Sequence, residues 1–167
     1  ATAPVKQYNV SAINVEIIVN TWIDFYPGYM YVLDENLDKV RAEETKNKEA
    51  RDKEGFDPGA VIPGVQAQWI QPLVFRANQG DCVKLKLSNK LEEGGGPVSL
   101  HIHGSSMVVS ATGAAAMTTN PDAVVEEKKT GEFAGDTHPN TQEGVPHFHT
   151  YAQPRTTKLQ GLCGAFV

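Results

Sequence analysis

Val83-Lys84-Leu85-Lys86-Leu87 alternates without a break. Its three apolar side chains fall on one side of an extended chain and its two lysines on the other, which is the period of a strand with one face buried and one face wet. Outward from this stretch the chain repeats one pattern, a short apolar run closed by turn residues. Before it stands the turn Ala77-Asn78-Gln79-Gly80-Asp81, and before that the strand Leu73-Val74-Phe75. After it, Glu92 to Pro97, with Gly94-Gly95-Gly96, reads as a flexible hairpin loop, and Val98 to Ile102 as the next strand. Val124 and Val125 fall on another strand, and Gly161 to Val167 on a last one of small and apolar residues.

The first third of the chain extends the same reading. From Tyr8 to Asn20 β-branched residues are dense, as strands prefer. Val15, Ile17 and Val19 alternate in one phase and Tyr8, Val10 and Ala12 in the other, so a bulge near Ala12–Ile13 is expected to switch faces. Tyr29 to Leu33 continues as a short strand. Asp34 to Asp57 is crowded with charges of both signs and reads as a solvated helical excursion, with Asp34 in a capping position. Phe56-Asp57-Pro58-Gly59 and Ile62-Pro63-Gly64 close it as turns. Short strands with one charged, helical surface insertion predict an all-β fold, a β-sandwich or Greek-key barrel, in one domain over residues 1–167.

Composition narrows the function. A formal net charge of -5 argues against a nucleic-acid partner, since phosphate binding is driven by Lys and Arg. There is no run of about 18 apolar residues, the length that would read as a membrane-spanning helix. The opening Ala1-Thr2-Ala3-Pro4 suits a processed, exported chain, periplasmic or extracellular, and suits a trimmed piece equally well. Cys82 and Cys163 could pair, but they settle no redox compartment.

The histidines carry the chemistry. Four of the five stand in two His-x-His pairs, His101-Ile102-His103 and His147-Phe148-His149. Residues i and i+2 of a strand share a face, so each pair projects two imidazoles to one side. One such pair is weak evidence, because single matches arise by chance. Two pairs together point to a metal site, and imidazole suits copper, zinc, iron or nickel. The set contains no cysteine, which disfavours a structural zinc site. His138 reads as a solvated loop histidine, with a substrate-facing role as the alternative. Asp122 is a candidate partner or proton donor for a ligating imidazole.

Leu100-His101-Ile102-His103-Gly104 resembles the His-x-His-Gly signature of the first cupredoxin domain of multicopper oxidases. Pro72 to Asp81 resembles the strand and Gly-Asp turn that approach it, and His147-Phe148-His149 the second His-x-His of that domain. Gly161-Leu162-Cys163-Gly164-Ala165-Phe166-Val167 resembles the closing strand. The resemblance runs from about Pro72 onward. The opening strands and the charged insertion look most like those of large bacterial manganese-oxidising members. It implies a cupredoxin-like Greek-key sandwich that supplies half of a trinuclear copper site. His101 would be the type 2 ligand, and His103, His147 and His149 type 3 ligands. The other ligands would come from a second cupredoxin domain, and dioxygen would be reduced to water. Phe148 stands where a type 1 motif would place Cys, so electrons would enter from elsewhere, and the chain would be active only with its partner domains. Two readings compete: a copper carrier or storage module using the same histidines, and a cupin-like mononuclear enzyme with Glu126 or Glu143 as a further ligand, which the second His-x-His fits poorly.

Overall fold

The computed structural model describes residues 4–19, 25–53, 66–78, 80–103, 109–110, 130–136, 144–152 and 157–167. The described strands are β1 (Val5–Ile18), β2 (Phe25–Leu33), β3 (Leu73–Phe75), β4 (Cys82–Asn89), β5 (His101–Ile102), β6 (Val109–Ser110), β7 (Thr130–Asp136), β8 (His147–His149) and β9 (Cys163–Phe166), with an α-helix, α1 (Leu37–Arg51), that follows a 3-10 turn at Asp34–Asn36. They form two sheets, ordered β2-β1-β4-β7-β6 and β3-β9-β8-β5. β1 runs parallel to β4 and β3 parallel to β9, and the other pairings are antiparallel. Val10, Ala12 and Tyr31 from the first sheet and Phe75, Ile102, Phe148 and Phe166 from the second share one buried cluster, so the sheets close face to face as an all-β sandwich.

The alternation that opened the reading holds, with Val83, Leu85 and Leu87 buried and Lys84 and Lys86 exposed. The expected bulge in the first strand is absent. β1 is continuous, and its register with β2 is unbroken from Val10↔Leu33 to Ile18↔Phe25. The phase changes because the strand serves two cores. Val10 and Ala12, with Tyr8 beside them, face the sandwich; Ile13 and Val15 face a second cluster with Met30, Val32 and Val40. β2 is longer than the sequence suggested. It carries Pro27, which has no amide hydrogen for a ladder, and it lies at the edge of its sheet where that is tolerated.

The charged stretch is helical, as expected, but it is a fastening more than a solvated excursion. Val40 is buried beneath it, together with Glu43 and Asn47. The Glu43 carboxylate accepts the backbone N–H groups of Gln68, Trp69 and Ile70 at 3.0, 2.9 and 2.9 Å. Asn47 both donates to the Gln66 carbonyl, at 2.9 Å, and accepts the Gln66 N–H, at 2.7 Å. Asp34 does not cap the helix. Asn36 holds that position without a side-chain bond, and Asp34 accepts the Ser11 hydroxyl at 2.5 Å.

The Glu92–Pro97 segment is likewise no hairpin. It carries the chain from β4 in one sheet toward β5 in the other. Asn89 pins it by donating to the Gly96 carbonyl at 3.0 Å, and its own Glu92 N–H donates to Asn14 Oδ1 at 2.8 Å. Strands β6 and β7 went unread in the sequence, where Thr130-Gly131-Glu132-Phe133-Ala134-Gly135-Asp136 has too few large apolar residues to signal one. Phe56–Gly59, Ile62–Gly64 and Val124–Val125 lie outside the described residues.

Candidate metal centre

β5 and β8 are antiparallel neighbours with His101 opposite His149 and Ile102 opposite Phe148. The His103 N–H donates to the His147 carbonyl at 2.8 Å and extends the same register. Each middle residue therefore turns inward and each histidine outward, as the two-residue period requires. Phe148 is fully buried, stacked on Phe75 at 5.0 Å between ring centroids and tilted against Tyr31 at 5.8 Å. Its ring rests over Gly164, where a Cβ would meet both Phe148 and the Leu73 carbonyl. Gly161 is needed for another reason: its φ of 113° is a conformation that L side chains rarely adopt, and a Cβ there would meet the Tyr29 carbonyl. The small residues of the last strand thus set the floor on which the histidines stand.

Above that floor the four imidazoles gather. His103 stacks on His147 at 4.2 Å between centroids, meets His149 at 4.7 Å, and takes His101 edge-on at 4.7 Å. The ring nitrogens of His103, His147 and His149 lie within 4.8 Å of one another. His101 is not in that nitrogen group, although its ring is as near to His103 as the ring of His149 is, and it is held edge-on against Tyr151 at 4.4 Å.

Protonation is fixed locally. His149 Nδ1 lies 2.7 Å from the Thr150 carbonyl, which can only accept, so Nδ1 carries the hydrogen and Nε2 is left with a lone pair. That Nε2 is 2.7 Å from Nε2 of His103 and 3.5 Å from the Lys158 ammonium. Burial holds His103 below the ordinary histidine range, helped by the fields of His147, His149, His101 and Lys158. Burial also holds His149 down, helped by Lys158, His101 and His147 and opposed by the bond to Thr150. Both imidazoles are therefore neutral at neutral pH, the state a metal requires.

The sequence placed the four histidines on one rim, and the structure brings them there. Tyr151 was missed although it follows His149 by two and so shares its side. Lys158 carried no signal at all, since it arrives from a separate turn. The carbonyl of Thr150 takes the orienting role for which Asp122 was considered. Asp122, His138, Gly104, Glu126 and Glu143 lie outside the described residues. Cys82 and Cys163 lie in different sheets and form no disulfide, and burial pushes the Cys163 thiol up, away from the thiolate form. Among the described residues, no helix is long and apolar enough to cross a membrane.

No family model matches the chain, and no curated protein does. Solved structures do. A multicopper oxidase from Pseudomonas thermotolerans is similar with a TM-score of 0.61 at 18% identity, over 99% of this chain and 29% of that one. A copper nitrite reductase from Nitrosomonas europaea gives 0.58 at 13% identity, over 98% and 41%. A multicopper oxidase from the hyperthermophile Aquifex aeolicus gives 0.52 at 14% identity, over 99% and 28%. At these identities the likeness is one of fold, and it bears out the expected all-β, cupredoxin-like sandwich. The chain spans less than half the length of each of these proteins.

Proposed function

We infer that this chain is a copper-binding cupredoxin module of the multicopper-oxidase kind, supplying His101, His103, His147 and His149 to a trinuclear site completed by a second cupredoxin domain. The observation that carries this reading is the antiparallel register of two His-x-His strands, which gathers four imidazoles on one rim over an aromatic floor. The donor set fits copper: imidazoles alone, with ring nitrogens of three of them gathered within 4.8 Å. His103, His147 and His149 bring one ring nitrogen each within 4.8 Å of one another, which supports reading them as the type 3 ligands and His101 as the type 2 ligand.

Copper bound here would supply the electron transfers that reduce dioxygen to water. What the chain's own residues do is hold and orient. Phe148 and Ile102 fix the strands from below, and Thr150 fixes the tautomer of His149. His147 is the exposed member of the set, and His101 and His103 are partly open, so the rim is available for the partner domain to cover. Four imidazoles do not complete three copper coordination spheres, and neither Cys82 nor Cys163 has a histidine next to it in the chain, as a type 1 motif would. A shared permanent site calls for an interface of roughly 1,000 Å² or more. The short span of this chain along its structural neighbours accords with such a division of labour.

Replacing His101 and His103 together by Ala is expected to abolish copper retention. The isolated chain, loaded with copper and given ferrous or manganous ion, is expected to show no sustained oxygen uptake, with turnover restored by the partner domain. Sustained four-electron turnover by the isolated, monomeric chain would overturn the half-site reading. Reversible copper release without turnover in any assembly would favour a carrier.

A further inference from the structure

Lys158 stands out among the residues near the histidines because it is a cation where a cation is to bind. Its ammonium lies 3.5 Å from Nε2 of His149, the very lone pair left over once Nδ1 donates to Thr150. A lysine on an exposed turn would ordinarily sample many positions, but this turn is fastened. Thr157 is buried and its hydroxyl donates to the Ala152 carbonyl at 2.6 Å. The Gly161 N–H donates to the Lys158 carbonyl at 3.1 Å, and the Leu162 N–H to the Thr157 carbonyl at 3.2 Å. Strand β2 holds the same turn twice more, through the Tyr29 N–H on the Gln160 carbonyl at 2.7 Å and the Tyr26 hydroxyl on the Leu159 carbonyl at 3.1 Å. Five hydrogen bonds thus keep the Lys158 backbone beside the site.

We propose that Lys158 sets the charge selectivity of the histidine cluster, opposing a doubly charged metal ion more than a singly charged one. The proposal rests on the copper reading above and concerns which copper the cluster prefers. A metal ion on His149 Nε2 displaces the ammonium from that lone pair, but the fastened turn keeps the charge within a side chain's reach. Coulomb repulsion scales with the product of the charges, so it acts about twice as strongly on Cu(II) or Zn(II) as on Cu(I). Lys158 therefore acts as a specificity-determining neighbour and not as a ligand.

The test uses the whole 167-residue chain. Cu(I) affinity is read by competition with a chromogenic chelator, and Cu(II) and Zn(II) affinities by calorimetric titration, for the wild type, K158M and K158R. Because the repulsion doubles with ion charge, K158M is expected to bind Cu(II) and Zn(II) about tenfold more tightly and Cu(I) only about threefold more tightly. K158R, which keeps the charge, is expected to hold the wild-type ratio, and circular dichroism checks that each variant folds. Equal gains for all three ions, or no gain while copper still binds, would overturn the role given to Lys158. Failure of the wild type and both variants to bind copper in either state would overturn the copper reading itself, and this inference with it.

Discussion

The two faces of the β1–β2 hairpin are built on different principles. One face sends Tyr8, Val10, Ala12 and Tyr31 into an aromatic and aliphatic core that continues through Phe75 to Phe148, directly beneath the histidines. The other sends Ile13, Val15, Met30 and Val32 against α1, and its edge is closed by polar groups, Glu43 on three backbone amides and Asn47 on Gln66. The first face is held by area removed from water, which is non-directional and tolerates repacking. The second depends on directed hydrogen bonds, where the loss of one acceptor strands several donors. The two should therefore fail differently.

The sharpest break is expected at Phe148. Truncation to Ala leaves a cavity under β8 and should cost about 3–5 kcal/mol, read as a lowered denaturant midpoint. Metal binding should weaken with it, because the strand that carries His147 and His149 loses its floor. A Phe148→Ala chain that kept wild-type stability would show that the aromatic core does not set the site.

Next comes Glu43. Glu43→Ala removes the acceptor for the amides of Gln68, Trp69 and Ile70 and should cost about 2–3 kcal/mol. Hydrogen exchange should rise at residues 66–70 and stay unchanged at His101 and His149. Faster exchange at both places would mean that the two faces are not independent.

A weaker handle is pH. His103 and His149 are held below the ordinary histidine value, so the folded chain takes up protons less readily than the unfolded one. Their neutral forms carry no penalty above about pH 6.5, the unfolded value, and stability falls as pH drops through it. Melting temperature is expected to decline from pH 7 to pH 5, with a flatter decline when both residues are Asn. An unchanged acid limb in that double variant would assign the effect elsewhere.

The smallest effect is expected on the exposed side of α1. Arg41 and Lys48 pair with Glu44 at 2.7 and 3.4 Å, but both cations are half-exposed. Lys48→Ala should change stability by no more than about 0.5 kcal/mol. A loss several times larger would mean that the helix is held by its surface charges as well as by Glu43 and Asn47.

The same contrast explains what the sequence disclosed. Alternation in Val83–Leu87 and the two His-x-His pairs are local patterns of period two, so strand, face and histidine rim could be read from single short windows. The apparent bulge near Ala12–Ile13 was a true pattern wrongly explained, because one strand alone does not reveal that something covers its outer face. Glu43 looked like one charge among many; its role depends on amides more than twenty residues away. Lys158 matters through where a turn delivers it, and no periodicity encodes that.

The order of β3-β9-β8-β5 has a consequence in time. Cys163–Phe166 lies between β3 and β8, so Leu73 finds its partner Gly164 and Phe75 its partner Phe166 only after the intervening strands have been made. Pairings this distant along the chain close slowly, after the local β1–β2 hairpin has had ample opportunity to form. A growing chain on the ribosome therefore exposes His101 and His103 long before β8 and β9 exist to hold them. Metal captured at that stage would be bound by two histidines on an unanchored segment, so a firmly held ion should require β8 and β9 to be in place.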